Sequence, residues 1–416
     1  MSYPPRYHLL VNERTGIVNN IQEVPILSAS IPLYTFVASR KPLKERNLDL
    51  LSDSFLSGVG TSFFNKDEAR ISALGEAIER YSSLFTHPHR LIERSYNQLS
   101  GEKIDPTKVT RYTPDYYNIE GFPFVDVSLD SKLMWVEGIS LTTRKKIWIP
   151  ADLVFFPDIV YPNLIRENIT TGLAAGSSLE MAEISGCLEC IERDAITLMW
   201  LNKTSKPIID LETIMDADIL EIVRLVKETG FSLFVLDITT DINVPSFFCL
   251  IINDLKVTPY ISCGAKTDFN KKKALIGAIK EASQCFNYMN TPDYKIRVAS
   301  GEFNEINSMD SHILYYAYNM DNFHELDFLL KGEYVDFNKK NCNRFEDMSE
   351  LLEYFSSMHY DLVAFDLTTS DVNKGGMNVV RVIAPQLAHL ECRYPALNCE
   401  RLDRNNEYNK APHPFA

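Results

Sequence analysis

The sequence has no apolar run close to the ~18–20 residues that a membrane-spanning helix needs. Its amino-terminal stretch lacks the basic segment and apolar block of a secretory signal. The sequence also has fewer basic than acidic residues. It contains 42 Lys and Arg and 56 Asp and Glu, which gives a formal net charge of -14. Such a chain offers no electrostatic attraction to nucleic acid. We therefore predict a cytoplasmic protein that binds neither membrane nor nucleic acid.

The cysteine and histidine patterns argue against further classes of protein. Eight cysteines among 416 residues are too few for a disulfide scaffold. Cys187 and Cys190 form a CxxC inside a helical pattern, and we expect packing residues there rather than metal ligands or a redox pair. The eight histidines form no local pattern to which we assign a metal. The absence of G-x-S-x-G, P-loop and HExxH sequences argues against serine hydrolases, P-loop NTPases and zinc proteases.

An internal repeat is the main positive signal in the sequence. Residues 69–80 and 182–193 align without gaps and share the pattern A-x-I-S-x-x-x-E-x-I-E-R. Residues 274–284 fit the related pattern A-x-I-[SG]-x-x-x-E-x-x-[EQ]. Glycines precede each copy, namely Gly58 and Gly60, Gly172 and Gly176, and Gly264. Since Ala, Leu and Glu favour helices and apolar residues recur at three and four, each copy predicts a strand, a glycine turn and a helix.

Polar residues within each copy fall on one face of the predicted helix. They are Ser72, Glu76 and Glu79 in the first copy, Ser185, Glu189 and Glu192 in the second, and Glu281 and Gln284 in the third. Buried carboxylates destabilise a fold by roughly several kcal/mol unless they are paired or bind metal. One interpretation is an ordinary charged face with Arg80 and Arg193 as local partners. The presence of three copies favours a shared acidic site for Mg²⁺ and nucleotide phosphates.

The remaining pattern predicts an α+β protein without regular βαβ alternation. Helices are predicted at 67–86, 179–201, 216–229, 271–290 and 347–358. Short apolar runs between turn residues predict strands within 1–60, 100–170 and 230–265. Residues 291–345 are polar and irregular, which fits either a loop over the site or an insertion. No low-complexity linker is present, so we predict one multi-lobed domain over 1–416, without a separate leader-peptide-binding domain.

These motifs resemble the YcaO family. The resemblance rests on SALGEAIERY at 72–81, GLAAGSSLEMAEISGCLECIERDA at 172–195 and IKEASQ at 279–284. Weaker matches, which extend the resemblance over nearly the whole chain, lie at 15–18, 135–154 and 378–382. The resemblance implies a YcaO-like fold in which repeated strand, glycine-turn and helix units surround one site for ATP and Mg²⁺.

The resemblance also implies roles for individual residues. The expected Mg²⁺ ligands are the motif carboxylates Glu76, Glu79, Glu189, Glu192 and Glu281. The expected nucleotide-binding residues are Arg70, Ser72, Lys280, Gln284 and Arg381. Arg40 and Lys41 are candidates for contacts with the base or the sugar.

The carboxyl-terminal tail distinguishes azoline-forming members of the family from other members. Azoline-forming members end in a Pro-rich tail that enters the active site, and Pro412-His413-Pro414 resembles it. Spaced prolines hold such a tail extended. The resemblance implies that Pro412, Pro414 and Ala416 are catalytic tail residues, with the terminal carboxylate as a general base. The alternative is a frayed terminus with a chance PxP.

The implied function is that of an ATP-dependent cyclodehydratase that converts Cys, Ser or Thr of a ribosomally synthesised precursor peptide into azolines. This is the chemistry of thiazole- and oxazole-containing bacteriocins. Two alternatives stay open: thioamide formation or ribosomal-protein modification on the same ATP site, and a non-catalytic scaffold that presents peptide. The expected partners are the precursor peptide and an E1-like or leader-peptide-binding protein. A flavin dehydrogenase partner and a homodimer are further open alternatives.

Overall fold

The computed structural model describes residues 4–40, 57–84, 91–155, 163–338, 345–393, 397–402 and 408–415. The chain divides into two compact units. The first unit comprises Met1–Val24, Tyr34–Cys190 and Leu352–Leu387, and the second comprises Pro25–Leu33, Ile191–Leu351 and Ala388–Ala416. Both units contain helices and strands, which confirms the predicted α+β class. The single multi-lobed domain stays a prediction.

Two antiparallel sheets organise the first unit. One consists of three strands in the order Val18–Val24, Tyr34–Arg40 and Gly58–Ser62. The other follows the order Ile92–Arg94, Leu133–Ser140, Val363–Asp366, Asn378–Ile383 and Leu173–Gly176, with Lys146–Pro150 paired to its second strand. Arg111–Tyr112 is a further short strand. Fully buried Phe36, Leu74 and Trp135 belong to the core of this unit.

One mixed sheet organises the second unit. Its order is Ile261–Thr267, Ser246–Asn253, Phe231–Asp237, Ile208–Asp210 and Tyr334–Asp336. The last pair is parallel and the others are antiparallel. Leu397–Asn398 is a further short strand. The central strands are buried along nearly their whole length, which agrees with their continuous apolar sequences.

Helices occur in both units, and none in the described part of the chain is long and apolar enough to span a bilayer. The first unit contains Tyr7–Leu10, Lys66–Ser83 and Ser370–Gly375. The second contains Ala217–Glu228, Lys271–Met289, Pro292–Ala299 and Met309–Ala317. Leu179–Leu201 and Met348–Ser357 contribute residues to both units. Short 3-10 helices lie at Tyr96–Gln98, Pro106–Lys108, Pro114–Asn118, Ala151–Leu153, Leu211–Thr213 and Met320–Leu330.

Three strand–helix pairs correspond to the sequence motifs. We call Gly58–Ser62 with Lys66–Ser83 the first motif, Leu173–Gly176 with Leu179–Leu201 the second, and Ile261–Thr267 with Lys271–Met289 the third. The helices begin and end within three residues of the predicted bounds.

The expectation for residues 291–345 is wrong in part. This region was predicted to be irregular, but its described residues include two helices, a 3-10 helix and a strand. The helices are short, so they show little periodicity. Their capping signals are nevertheless present in the sequence. Thr291 caps a helix whose first residue is proline, and Ser308 forms a capping box with Ser311.

Candidate active site

Glycine allows the strand of a motif to pack directly against the helix that follows it. In the first motif, a Cβ on Gly60 would collide with the helix backbone at Ala69 and Ala73. In the third motif, a Cβ on Gly264 would collide with the backbone at Ala282. The glycines ahead of the motif helices therefore have a steric purpose, since close packing brings strand amides within reach of helix side chains.

The first carboxylate of each motif accepts a hydrogen bond from the backbone of its own strand or of the turn leading into it. The amide donor and carboxylate acceptor are Val59 and Glu76 (2.5 Å), Gly172 and Glu189 (3.2 Å), and Ala265 and Glu281 (2.7 Å). The same contact thus recurs in all three motifs. It fixes the orientation of the carboxylate and favours its charged form.

The second carboxylate reaches to the strand of the next motif instead. Within the first unit, the Ala175 amide donates to Glu79 Oε2 at 3.2 Å. Within the second unit, the Thr267 amide donates to Glu192 Oε2 at 2.9 Å. In the first and second motifs, the two carboxylates therefore bind backbone amides of different motifs.

Carboxylates crowd together in the first unit. Burial raises the pKa of Glu79 well above its usual value, and the neighbouring charges of Glu189 and Glu76 raise it further. Burial also raises the pKa of Glu76, although Arg80 forms an ion pair with it and lowers the pKa in part. A divalent cation would relieve this repulsion, because it allows all three carboxylates to ionise.

A second acidic pair lies in the second unit. Burial and the neighbouring charge of Glu192 raise the pKa of Glu281 to about 7. Arg193 donates to Glu192 Oε1 at 2.9 Å, and Lys266 Nζ lies 4.0 Å from Glu192 Oε2. The charge of Glu281 therefore changes near neutral pH, where a bound cation would hold the carboxylate ionised.

The alternative interpretation of the motifs is an ordinary charged face with local cation partners. Such partners are present in part. Arg80 pairs with Glu76 and Arg193 pairs with Glu192, one on each motif helix. These are not solvated charged faces, since the side chains of Glu76 and Glu192 are only 29% and 3% exposed. Burial of this degree, combined with raised pKa values nearby, favours a functional site.

Arg381 is buried in the first unit and has unused hydrogen-bond donors. Its Nη2 donates to Asn168 Oδ1 at 2.8 Å and to the carbonyl of Ile169. Its Nε and Nη1 have no hydrogen-bond partner within the ranges that the structure describes. Burial lowers its pKa to about 10, so the guanidinium stays charged at neutral pH. Buried guanidinium donors of this kind suit an anion such as phosphate.

Asn168 and Ile169, which hold Arg381, were missed by the sequence analysis. They lie outside any named helix or strand, in a segment that also holds Arg166 and Glu167. No periodicity marks such a segment. The only signal was their position a few residues ahead of Gly172, where the second motif begins.

The other predicted nucleotide contacts lie on two motif helices. Arg70 and Ser72 lie on the first, and Lys280 and Gln284 on the third. The guanidinium of Arg70 lies 5.0 Å from the centroid of the Phe36 ring. All four side chains are partly buried. Their roles in nucleotide binding stay predictions.

Arg40 is a buried guanidinium at the end of the strand Tyr34–Arg40. It lies 5.5 Å from the centroid of the Tyr81 ring, and burial lowers its pKa to about 10. None of its three side-chain nitrogens has a hydrogen-bond partner among the described residues. Lys41, its predicted companion, lies outside the described residues.

The tail is docked in the second unit rather than frayed. The Tyr316 hydroxyl donates to the Pro412 carbonyl at 2.6 Å, and Cys263 Sγ donates to the Pro414 carbonyl at 2.5 Å. The frayed alternative is therefore wrong for the described part of the tail. Ala416, the third predicted tail residue, lies outside the described residues.

The docked tail adjoins the acidic pair of the second unit. Phe415 is 1% exposed, and the guanidinium of Arg193 lies 4.5 Å from the centroid of its ring. Arg193 also binds Glu192. The tail and the carboxylate thus share one cation, which links the predicted catalytic tail to the predicted metal ligands inside one unit.

The chain matches a protein-family model and is similar in sequence to curated proteins. The family model, described as YcaO cyclodehydratase with ATP and Mg²⁺ binding, matches residues 60–388. An uncharacterised protein of Methanothermobacter thermautotrophicus is 27% identical over 241 residues, 56% of this chain and 57% of that protein. An uncharacterised protein from the tfuA 3' region of Rhizobium leguminosarum bv. trifolii is 26% identical over 194 residues, 45% of this chain and 43% of that protein. The chain thus spans about half the length of the curated relatives it matches.

Several solved structures share the fold. A heterocyclase in complex with substrate and cofactor matches with a TM-score of 0.76 and 20% identity, over 98% of this chain and 56% of that chain. The YcaO protein of Methanopyrus kandleri bound with AMPPCP and Mg²⁺ matches at 0.60 and 18%, over 92% and 89% of the two chains. The E. coli microcin synthetase McbBCD complex matches at 0.67 and 14%, over 95% of each. At these identities the likeness shows a common fold.

Proposed function

Because the chain belongs to the YcaO family, we propose that it is an ATP-dependent peptide cyclodehydratase. Its substrate is a backbone amide of a ribosomally synthesised precursor peptide, next to a Cys, Ser or Thr side chain. Its product is the azoline ring that forms when the side chain attacks the amide carbon and water is removed. The observation that carries this proposal is the docked tail next to the Glu192 and Glu281 pair.

The motif carboxylates fit Mg²⁺, which prefers oxygen ligands. The residues that would hold it are Glu76, Glu79 and Glu189 in the first unit and Glu192 and Glu281 in the second. The raised pKa values of Glu76, Glu79 and Glu281 support this assignment, because buried like charges without a cation take up protons. When bound, Mg²⁺ supplies charge neutralisation to the phosphates of ATP.

Arg381 supports nucleotide binding by this chain. Its Nε and Nη1 donors, which have no hydrogen-bond partner among the described residues, are positioned by the hydrogen bonds that Nη2 makes to Asn168 and Ile169. Two donors held in a plane match two oxygens of a phosphate group. We assign Arg381 as a phosphate ligand, and Arg70, Ser72, Lys280 and Gln284 as further contacts to the nucleotide.

The chemistry consists of two linked transfers. The side-chain nucleophile of the peptide adds to the neighbouring carbonyl, and the amide oxygen then takes the γ-phosphoryl group of ATP and leaves as phosphate. The residues of this chain orient the reactants and neutralise charge, since phosphoryl transfer is catalysed mainly by positioning and electrostatics. The tail around Pro412 and Pro414 orients the peptide next to the acidic pair.

The same tail distinguishes azoline formation from the thioamide alternative. An azoline former that relies on the tail loses ring formation in a Pro412→Ala, Pro414→Ala double variant but keeps its affinity for nucleotide. The tail contacts use backbone carbonyls, which alanine retains, so the variant should still fold. Full ring formation by the double variant would contradict a role for the tail, whereas a thioamide product that the double variant still forms would favour the thioamide alternative.

A partner protein completes the proposal. We infer that an E1-like or leader-peptide-binding protein delivers the precursor peptide to this chain. A flavin dehydrogenase that oxidises the azoline product is a further proposed partner. One neighbour in fold is part of a microcin synthetase complex, which supports an assembly of this type.

Binding of AMPPCP with and without Mg²⁺ is the first test, measured by calorimetry on the wild type and on Glu189→Gln. The expected result is Mg²⁺-dependent binding that the variant loses. Glu180→Gln is the matched control, since Glu180 is exposed on the same helix. Equal binding by the wild type and Glu189→Gln would contradict the assignment of Glu189.

Turnover is the second test. Short Cys-, Ser- and Thr-rich peptides encoded by neighbouring reading frames are incubated with the chain, its partner protein and Mg·ATP. Each ring should appear in the mass spectrum as the loss of one water, matched by one phosphate released. Ring formation without ATP consumption would exclude the proposed mechanism.

A further inference from the structure

Three side chains from distant parts of the chain converge in the second unit. His312 lies on the helix Met309–Ala317, Cys392 lies in the segment before residue 394, and His413 lies between the two tail prolines. One ligand atom of each lies within 4.8 Å of the others. Ligand atoms around one tetrahedral zinc ion are about 3.3–3.8 Å apart, given bond lengths of ~2.0–2.3 Å. A movement of about 1 Å therefore closes the group around an ion.

The tautomer of His312 is fixed by its surroundings. Its Nε2 lies 2.7 Å from the carbonyl oxygen of Cys392, and a carbonyl only accepts, so Nε2 carries the proton. The lone pair is then on Nδ1, which is buried and has no hydrogen-bond partner of good geometry within the described ranges. A ring nitrogen that donates to a backbone carbonyl while the other is free is the usual arrangement of a metal-binding histidine.

The ring of His413 makes even fewer hydrogen bonds than that of His312. Its side chain is buried, and neither ring nitrogen has a hydrogen-bond partner of good geometry among the described residues. Its ring centroid lies 4.3 Å from that of His312. Two adjacent imidazoles with unsatisfied buried nitrogens are unfavourable without a ligand.

The group opens onto a cavity of about 300 Å³. His312, Cys392 and His413 line it together with the buried side chains of His389 and Glu391. The cavity has room for a fourth ligand, either a water molecule or one of these two side chains.

We propose that His312, Cys392 and His413 bind a zinc ion. One thiolate and two imidazoles form a borderline-soft donor set that suits Zn²⁺ and differs from the all-oxygen carboxylates proposed for Mg²⁺. Binding displaces the thiol proton of Cys392 to solvent and consumes no other reactant. The ion joins three segments, so it fastens the tail at His413. The proposal does not depend on the proposed function, because the site needs neither nucleotide nor peptide.

The experiment measures metal in the protein as purified and after exchange. Elemental analysis of the wild type should find one zinc ion per chain, and Co²⁺ substitution should give a thiolate-to-cobalt charge-transfer band. Cys392→Ser should lose the band, and His413→Gln should lose most of the bound zinc. Hydrogen exchange of residues 408–415 should become faster when a chelator removes the ion, and Zn²⁺ but not Mg²⁺ should reverse this.

Matched controls separate the site from other thiols and imidazoles. Cys399→Ser changes another thiol of the same unit, one that is buried, and His324→Gln changes an exposed histidine. Both should keep the zinc and the cobalt band. Absence of zinc together with no charge-transfer band in the wild type would overturn the proposal. So would a band that persists in Cys392→Ser. If a variant fails to fold, the wild-type cobalt spectrum and the exchange experiment decide.

Discussion

The first and third motifs share a geometry but differ in charge. In the first, Glu79 follows Glu76 at a spacing of three, and Arg80 comes next. In the third, Gln284 occupies the place of the second carboxylate and Cys285 that of the arginine. Both motifs have a glycine that lets the strand pack closely against the helix. Both also have a backbone amide that donates a hydrogen bond to the first carboxylate. Backbone packing is thus retained where side-chain charge varies.

This difference in charge shows how repulsion between carboxylates is limited in each motif. The first motif holds two carboxylates and offsets them with Arg80, yet the pKa of Glu79 is still well raised. The third motif holds one carboxylate and replaces the other with an uncharged amide. A fixed cation and the removal of a charge are two ways to limit the same electrostatic repulsion.

The largest expected effect concerns the geometry that the two motifs share. Gly60→Ala and Gly264→Ala should each destabilise the protein by about 3 kcal/mol, since the new Cβ meets helix backbone that cannot rotate away. Urea unfolding measures this. Gly75→Ala, where a Cβ meets no atom within 4 Å, is the control and should stabilise the helix by about 0.5–1 kcal/mol. Equal effects at all three positions would disprove the steric account.

The next prediction gives the first motif the charge pattern of the third. Glu79→Gln should weaken Mg²⁺-dependent binding of AMPPCP about 100-fold, which corresponds to ~2.7 kcal/mol. The amide can still accept the Ala175 hydrogen bond, so the fold should persist. Calorimetric titration measures the affinity, and circular dichroism checks the fold. Unchanged affinity in the folded variant would remove Glu79 from the metal site.

The third prediction uses the pKa of Glu281, which burial and Glu192 raise to about 7. The folded state binds this proton more tightly than the unfolded state, so metal-free stability falls as pH rises from about 4.5 to about 7. Glu281→Gln should lose this fall and be more stable at pH 8 by roughly 1–3 kcal/mol. Urea unfolding across this pH range, with chelator present, measures it. A parallel pH profile in the variant and wild type would contradict the raised pKa.

The smallest expected effect comes from the reverse exchange. Gln284→Glu gives the third motif a carboxylate at a spacing of three from Glu281, as in the first motif. Repulsion should destabilise the metal-free protein by about 0.5–1 kcal/mol, and Mg²⁺ should recover the loss. Thermal melting with and without Mg²⁺ measures both parts. Gln284→Met, of similar size but uncharged, is the control and should show no Mg²⁺-dependent recovery.

Local pattern made much of the fold predictable. The helix Leu179–Leu201 was predicted with the same bounds, because its good helix formers recur with an unbroken apolar period. The carboxylate spacing of three within Glu189 and Glu192 is equally local, so their common helix face follows from sequence. The short helices Pro292–Ala299 and Met309–Ala317 were missed because eight or nine residues show little periodicity, and only their caps signalled them.

Contacts between distant segments were beyond the reach of the sequence. His312, Cys392 and His413 are separated by 80 and 21 residues, and no spacing rule joins such positions. The residue partners of Arg381 were missed for the same reason, since Asn168 lies 213 residues away in the chain. Pairings of this kind are decided by how sheets and loops fold back, which a single sequence does not encode as a pattern.

The link from Glu79 to the amide of Ala175 also has a consequence for synthesis on the ribosome. The two residues are 96 positions apart, so the carboxylate emerges long before the strand that binds it. Glu192 similarly waits 75 positions for Thr267. In the first and second motifs, the second carboxylate therefore lacks its backbone donor until the following motif has been translated. Completion of the acidic clusters is thus a late event in biogenesis, and a chain released early would lack them.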